Sequence, residues 1–194
     1  MFLDILGTVT SLLATYYFIQ LNNKAWLSSL FATLANSWLY WQKGIYADML
    51  LESFYFLSTC YGWYLWRTST QKEVIIIGKL SIKQWFVLLG LIAGLFVLIV
   101  NLLVTFTHSD IALLDALTTS LSLGAQWLMC YKIIATWILW FITDAIYAFM
   151  YIQKEIPFHS LLMVVYTLMA IIGYRTWAKQ RGIQLLSRTK SCLQ

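Results

Sequence analysis

The chain has 194 residues, of which 61% are hydrophobic and only 11% charged, with a single proline. A soluble globular domain is roughly half apolar, so this composition excludes one and reads as an all-α integral membrane protein. The net charge of +5 falls mostly in the loops and the tail, where Lys and Arg orient a chain in a bilayer; lipid, and no nucleic acid, is the expected macromolecular environment.

Seven apolar runs are expected to form seven transmembrane helices, over residues 2–19, 24–41, 45–66, 84–106, 111–130, 132–152 and 157–177. Each approaches the roughly 20 residues that span a bilayer. No small-residue cleavage site follows the first, which is read as a retained helix and not a signal peptide. Pro157 opens the seventh, where its missing N–H is harmless. Seven spans put the termini on opposite sides, and the basic residues choose between them. Lys24, Arg67, Lys72, Lys79, Lys83, Lys132, Arg175, Lys179, Arg181, Arg188 and Lys190 fall on one side, and only Lys43 and Lys154 on the other. That asymmetry places the amino terminus outside and the basic tail, residues 178–194, in the cytoplasm. Trp63, Trp66, Tyr174 and Trp177 are then expected as an interfacial belt beside Arg67 and Arg175.

Residues 1–66 overlay residues 112–177 without a gap, at a constant offset of 111. Asp4 meets Asp115, Thr8 meets Thr119, Trp26 meets Trp137, Gln42-Lys43 meets Gln153-Lys154, Gly62 meets Gly173 and Trp66 meets Trp177. Leucine pairs arise by chance in an apolar chain, whereas Trp, Gly, Asp and Gln-Lys pairs at one offset do not. The reading is a single transmembrane domain made of two parallel three-helix repeats joined by a linker helix at 84–106, a plan in which transporters hold substrate near the midplane where repeats meet.

Trp137, Trp140, Asp144 and Tyr147 fall on one face of the sixth helix. A carboxylate deep in an apolar span is expensive in lipid and points to a substrate or ion pathway; a packing role is its plainer alternative. Trp137 reads either as a site residue or, five positions beyond Lys132, as an interfacial anchor. Asn36 either reaches the cavity or bonds another helix. Asp115, Thr119, Ser122 and Gln126 form a polar stripe on the fifth helix; Asp115 reads best as a cap and Gln126, further in, as a site candidate. Asp48 and Glu52 are read as carboxylates favouring the start of the third helix. Cys60, Cys130 and Cys192 contain no C-x-x-C pair, and His108 and His159 are isolated, so no disulfide framework, metal or cofactor is expected. With no nucleophile–base pair and no phosphate-binding glycine loop, neither an enzyme nor an ATP-driven pump is expected.

Tyr61-Gly62-Trp63-Tyr64-Leu65-Trp66 closing the third helix, Gln42 and Tyr46-Ala47 ahead of it, and W-x-x-W-x-x-x-D from Trp137 to Asp144 resemble the PnuC-like vitamin transporters over nearly the whole chain. The resemblance implies a three-plus-one-plus-three fold like that of the small sugar transporters. It implies uptake of a vitamin, foremost nicotinamide riboside, by facilitated diffusion across the plasma membrane, with a cytosolic kinase trapping the product. Thiamine or riboflavin is carried by other members, and a proton-coupled carrier is the mechanistic alternative. Trp140, Asp144, Trp137, Tyr147, Asn36 and Gln126 are the expected substrate contacts. Here the motif ends in Asp144 where Asn also occurs in the family. Nicotinamide riboside and thiamine carry cationic aromatic rings, which suit stacking on Trp140 or Trp137, worth about 0.5 to 2 kcal/mol, and a countercharge at Asp144. A homo-oligomer is compatible with all of this.

Overall fold

The computed structural model describes residues 2–43, 46–70, 77–106, 112–153 and 157–191. Lys72, His108, Lys154 and Cys192, together with the side chains of Asp4, Tyr40, Lys43, Asp48, Pro157, Arg188 and Lys190, lie outside the described residues.

The described residues form seven α-helices: α1 (Phe2–Ile19), α2 (Lys24–Lys43), α3 (Tyr46–Thr70), α4 (Ile82–Phe106), α5 (Ala112–Cys130), α6 (Thr136–Gln153) and α7 (Pro157–Ser191). Several boundaries differ from the sequence reading; α3, for example, runs on to Thr70 and not 66. The sixth helix starts at Thr136, not at 132, because Lys132 takes a left-handed conformation with φ of 55° and ends α5. Ile133 N–H donates back to the Leu128 carbonyl at 3.1 Å, closing the six-to-one bond of a Schellman motif. The seventh helix does not stop at Trp177 but runs 35 residues to Ser191. Its continuation carries Lys179, Gln180, Arg181 and Gln184, good helix formers with no proline among them. The Gln184 side chain accepts a bond from the Ile77 backbone N–H at 3.2 Å.

The turn after α1 has the same build. Leu21 has φ of 53°, and Asn22 N–H donates to the Tyr17 carbonyl at 2.9 Å. Each of these residues is 111 positions before its counterpart at Lys132, Ile133 and Leu128. A left-handed non-glycine residue is uncommon, and two at equivalent positions are not explained by local composition.

The chain divides into two compact units. The first holds residues 1–77, 130–132 and 175–194. In it α1 packs on α2 and α2 on α3. Its centre is aromatic. Phe18, Trp26 and Trp66 meet edge to face, with centroids 4.8 Å apart for Phe18–Trp26 and 5.4 Å for Trp26–Trp66, and Trp177 lies 6.3 Å from Trp66. Trp66 Nε1 donates to the Cys130 carbonyl and Trp177 Nε1 to the Phe18 carbonyl, both at 3.1 Å. Trp66 and Trp177 are only 1% and 0% exposed, so they are core residues and not the expected interfacial belt. Their indoles instead bond carbonyls at the ends of α5 and α1, the Phe18 carbonyl also accepting from Leu21 N–H at 3.0 Å. Trp63 is half-buried and Tyr174 exposed. Lys132 is also buried, with Nζ 4.9 Å from the Trp66 ring centroid. Burial pushes its ammonium pKa below the ordinary lysine value.

The second unit holds residues 78–129 and 133–174. Leu88 and Ile92 of α4, Leu121, Ala125 and Leu128 of α5, and Ala135 and Leu139 at the start of α6 form its apolar core. The outer side of α4 is apolar as well, with Phe86, Val87, Leu91, Val97 and Val104 exposed. Exposed apolar surface on that scale belongs against hydrocarbon. Among the described residues, two helices are long and apolar enough to cross a membrane, Ile82–Thr105 and Phe158–Leu186. Inward polar groups lower the mean hydropathy of others, as Thr118, Ser120, Ser122 and Gln126 do in α5, where all four are buried.

Candidate functional site

The α6 helix is fixed from two sides before any functional side chain is considered. Toward α5, Thr136 Oγ1 donates to the Ala125 carbonyl at 2.7 Å, and Leu139 enters the apolar core. Toward α7, the Trp137 indole lies against Gly173, and Ser160 Oγ donates to the Ala148 carbonyl at 3.3 Å. These contacts set which side of α6 turns inward. Ile138, Phe141, Ile142 and Phe149 are exposed, while Trp137 and Asp144 are buried and Trp140 and Tyr147 half-buried. The face carrying the polar and aromatic motif is therefore the shielded one.

Asp144 is the ninth of the 18 residues of α6, at its midpoint, and is 9% exposed. Because the helix starts at Thr136, Asp144 lies eight positions in and not twelve, about 12 Å along the axis. Among the described residues no hydrogen bond or ion pair to its carboxylate is found. Burying such a group without a bond opposes folding. Its neighbour Thr143 is fully buried, and Oγ1 likewise has no hydrogen-bond partner among the described residues. Thr143 was not singled out from the sequence, because a threonine in an apolar helix usually bonds the carbonyl four residues back.

The other sequence candidates fall into different surroundings. Trp140 flanks the apolar core that holds Leu139. Trp137 is 2% exposed, which excludes the interfacial-anchor reading. Tyr147 stacks on Tyr151 with centroids 6.1 Å apart and planes 19° off parallel, and His159 lies beyond Tyr151. Gln126 is buried on α5, one residue beyond the carbonyl that Thr136 holds. Asn36 belongs to the first unit, the other five to the second. Its Nδ2 donates to Glu52 Oε1 at 3.2 Å, joining α2 to α3, and a Cβ on Gly7 would fall 2.5 Å from its Oδ1. That is the helix-bonding reading of Asn36. Glu52 is six residues beyond the start of α3 at Tyr46, so it is not a helix-start carboxylate; it is the acceptor for Asn36. Asp115 does sit in the first turn of α5.

The family model described as "Nicotinamide mononucleotide transporter" matches residues 1–179. The chain belongs to that family. It is 27% identical to the nicotinamide riboside transporter PnuC of Escherichia coli, over 95% of this chain and 90% of the relative. It is 26% identical to the PnuC of Haemophilus influenzae, over 83% and 74%. The crystal structure of a vitamin B3 transporter PnuC shares the fold, with a TM-score of 0.76 at 20% identity, covering 93% of this chain and 82% of that one. Membership in a transporter family and the seven-helix fold agree with the membrane architecture read from composition.

A shielded carboxylate with no bond among the described residues has a measurable signature. Asp144→Leu, which removes the polar group and fills its place, is expected to raise the ligand-free unfolding midpoint in detergent, by about 2 to 4 °C for each 1 kcal/mol recovered. A lower midpoint would mean that Asp144 is held by a structural bond.

Proposed function

We propose that this chain takes up a cationic vitamin, foremost nicotinamide riboside, by facilitated diffusion, with Trp140 and Asp144 as the central contacts. The observation that carries the reading is the Asp144 side chain, 9% exposed and with no bond found to it among the described residues, at the midpoint of α6 in a chain of this family. A carboxylate in low dielectric gains most from a cation that arrives with the ligand, since the attraction is weakly screened there. Trp140, four residues before Asp144, offers a ring face to a cationic aromatic group. Trp137 stands behind them as a buried support. Gln126, Tyr147 and Thr143 supply hydroxyl and amide groups suited to a ribose, and Asn36, bonded to Glu52, is left in its helix-bonding role.

The repeat plan is part of the proposal. Residues 1–66 and 112–177 are read as two parallel three-helix repeats, with 84–106 as linker. Supporting it are the two left-handed turns at Leu21 and Lys132 and the two Trp–Gly contacts, Trp26 on Gly62 and Trp137 on Gly173, all at the offset of 111. Nothing in such a carrier drives accumulation, so a cytosolic kinase that phosphorylates the vitamin is proposed as the trap. The basic residues orient the chain with its amino terminus outside. An impermeant thiol reagent on intact cells is then expected to label a Gly44→Cys variant and spare Cys192; the reverse pattern contradicts this orientation.

Titration calorimetry on purified variants tests the site. Trp140→Ala removes stacking and apolar contact worth about 1 to 3 kcal/mol, a tenfold to hundredfold loss of affinity. Asp144→Asn keeps the shape and deletes the charge. It is expected to weaken binding of nicotinamide riboside and to leave a neutral reduced analogue nearly unaffected. Unchanged affinity for the cation removes Asp144 from the site.

A further inference from the structure

Gly173 has no polar group and lies 29 residues from Asp144 in sequence. Its place against α6 gives it more influence on the site than its chemistry suggests. A Cβ built on Gly173 would fall 2.6 Å from Cδ2, Cε2 and Cε3 of Trp137. Carbon atoms in contact prefer about 3.5 to 4.0 Å, so a methyl group there requires a displacement of about 1 Å. The atoms it would meet flank the fused bond of the indole, not a free end of a flexible chain. Trp137 is 2% exposed, and a close-packed surround gives the ring nowhere to swing. The displacement must therefore pass to the α6 backbone.

What α6 carries next makes that displacement matter. Asp144 is seven residues beyond Trp137, two turns along on nearly the same azimuth, and Trp140 is one turn along. Both ride on the segment that the Trp137–Gly173 contact seats.

The first repeat supplies an internal control. Trp26 lies on Gly62 at the equivalent position, where an added Cβ would overlap the outer edge of its ring and not the fused bond, and Trp26 is fully buried. At the positions equivalent to Trp140 and Asp144 that helix has Ser29 and Thr33. Ser29 Oγ shares a bond with Thr59 Oγ1 at 3.4 Å, and Thr33 Oγ1 donates to the Leu30 carbonyl at 3.0 Å. A Trp–Gly niche is thus built twice, but one docked helix bears an aromatic ring and a carboxylate with no bond found among the described residues, while the other bears hydroxyls engaged in hydrogen bonds.

From this we infer that Gly173 is a positioning residue: the absence of its Cβ seats Trp137 against α7 and thereby sets the height and azimuth at which α6 presents Trp140 and Asp144 to the ligand. The inference rests on the proposed site. It assigns Gly173 no contact with the ligand, and it gives Gly62 a purely structural counterpart role.

The test is a double-mutant cycle on the full chain in detergent, reading nicotinamide riboside affinity by calorimetry and the ligand-free unfolding midpoint. Gly173→Ala is expected to weaken binding about tenfold, equivalent to about 1.4 kcal/mol. Gly62→Ala is expected to lower the midpoint while leaving affinity within about twofold, well inside that step. The second arm uses Trp137→Val, whose side chain ends at Cγ, short of the ring atoms that the new methyl meets. In that background Gly173→Ala is expected to cause no further loss. If Gly173→Ala alone fails to fold, a double variant that folds and binds as Trp137→Val does carries the same conclusion. The inference is overturned if Gly173→Ala lowers only the midpoint, if Gly62→Ala weakens binding equally, or if the loss persists with Val at position 137. Asp144→Asn reports on the site separately: weaker binding there with none in Gly173→Ala rejects the niche and keeps the site. Loss in Gly173→Ala alone keeps the niche and removes Asp144.

Discussion

A carboxylate halfway along an apolar helix has to be kept out of hydrocarbon, and much of the second unit can be understood from that constraint. Asp144 is shielded because α6 is pinned on two sides, by the Thr136–Ala125 bond toward α5 and by the Trp137–Gly173 contact toward α7. Only then can Ile138, Phe141, Ile142 and Phe149 take the outward positions. The apolar core of Leu88, Ile92, Leu121 and Leu139 supplies the rigidity. Leaving the acid without a bond among the described residues costs stability.

The first unit solves a different problem, the carbonyls at helix ends inside an apolar environment. Each unsatisfied carbonyl in such a setting is expensive, and side-chain donors are scarce. Trp66 and Trp177 serve as those donors, bonding Cys130 and Phe18, while their rings join Phe18 and Trp26 in the aromatic centre. One residue type thus provides volume and a hydrogen bond at once. The left-handed turns at Leu21 and Lys132 bring the chain around after α1 and α5 without glycine, and the tight turns are followed directly by the helices that carry Trp26 and Trp137.

Helix number and the shielded face of α6 were legible in the sequence because both are periodic signals: long apolar runs, and Trp137, Trp140, Asp144 and Tyr147 spaced by turns. The start of α6 was not legible, since a Schellman turn is normally announced by glycine and here the left-handed residue is lysine. The extent of α7 was hidden for the opposite reason. Its charged end was read as a tail, although Lys, Arg and Gln are as good in a helix as in a loop. Trp66 and Trp177 were misread as a belt because a Trp next to Arg has the same local pattern whether it faces lipid headgroups or the core; only the carbonyls of Cys130 and Phe18, 64 and 159 residues away, distinguish them. Within the candidate site, Asn36 illustrates the limit: its amide was visible, but its partner Glu52, one helix on, was assigned to a helix start.

The account's central claim is passive carriage of a cationic vitamin, and uptake of radiolabelled nicotinamide riboside into liposomes containing only this protein tests it most directly. The label is expected to enter until inside and outside concentrations match, to be displaced by unlabelled nicotinamide riboside and, as a second cationic ring, by thiamine, and to be unaffected by riboflavin. No protein-dependent entry, or accumulation of free vitamin above the outside concentration when only a pH difference is imposed, would contradict it.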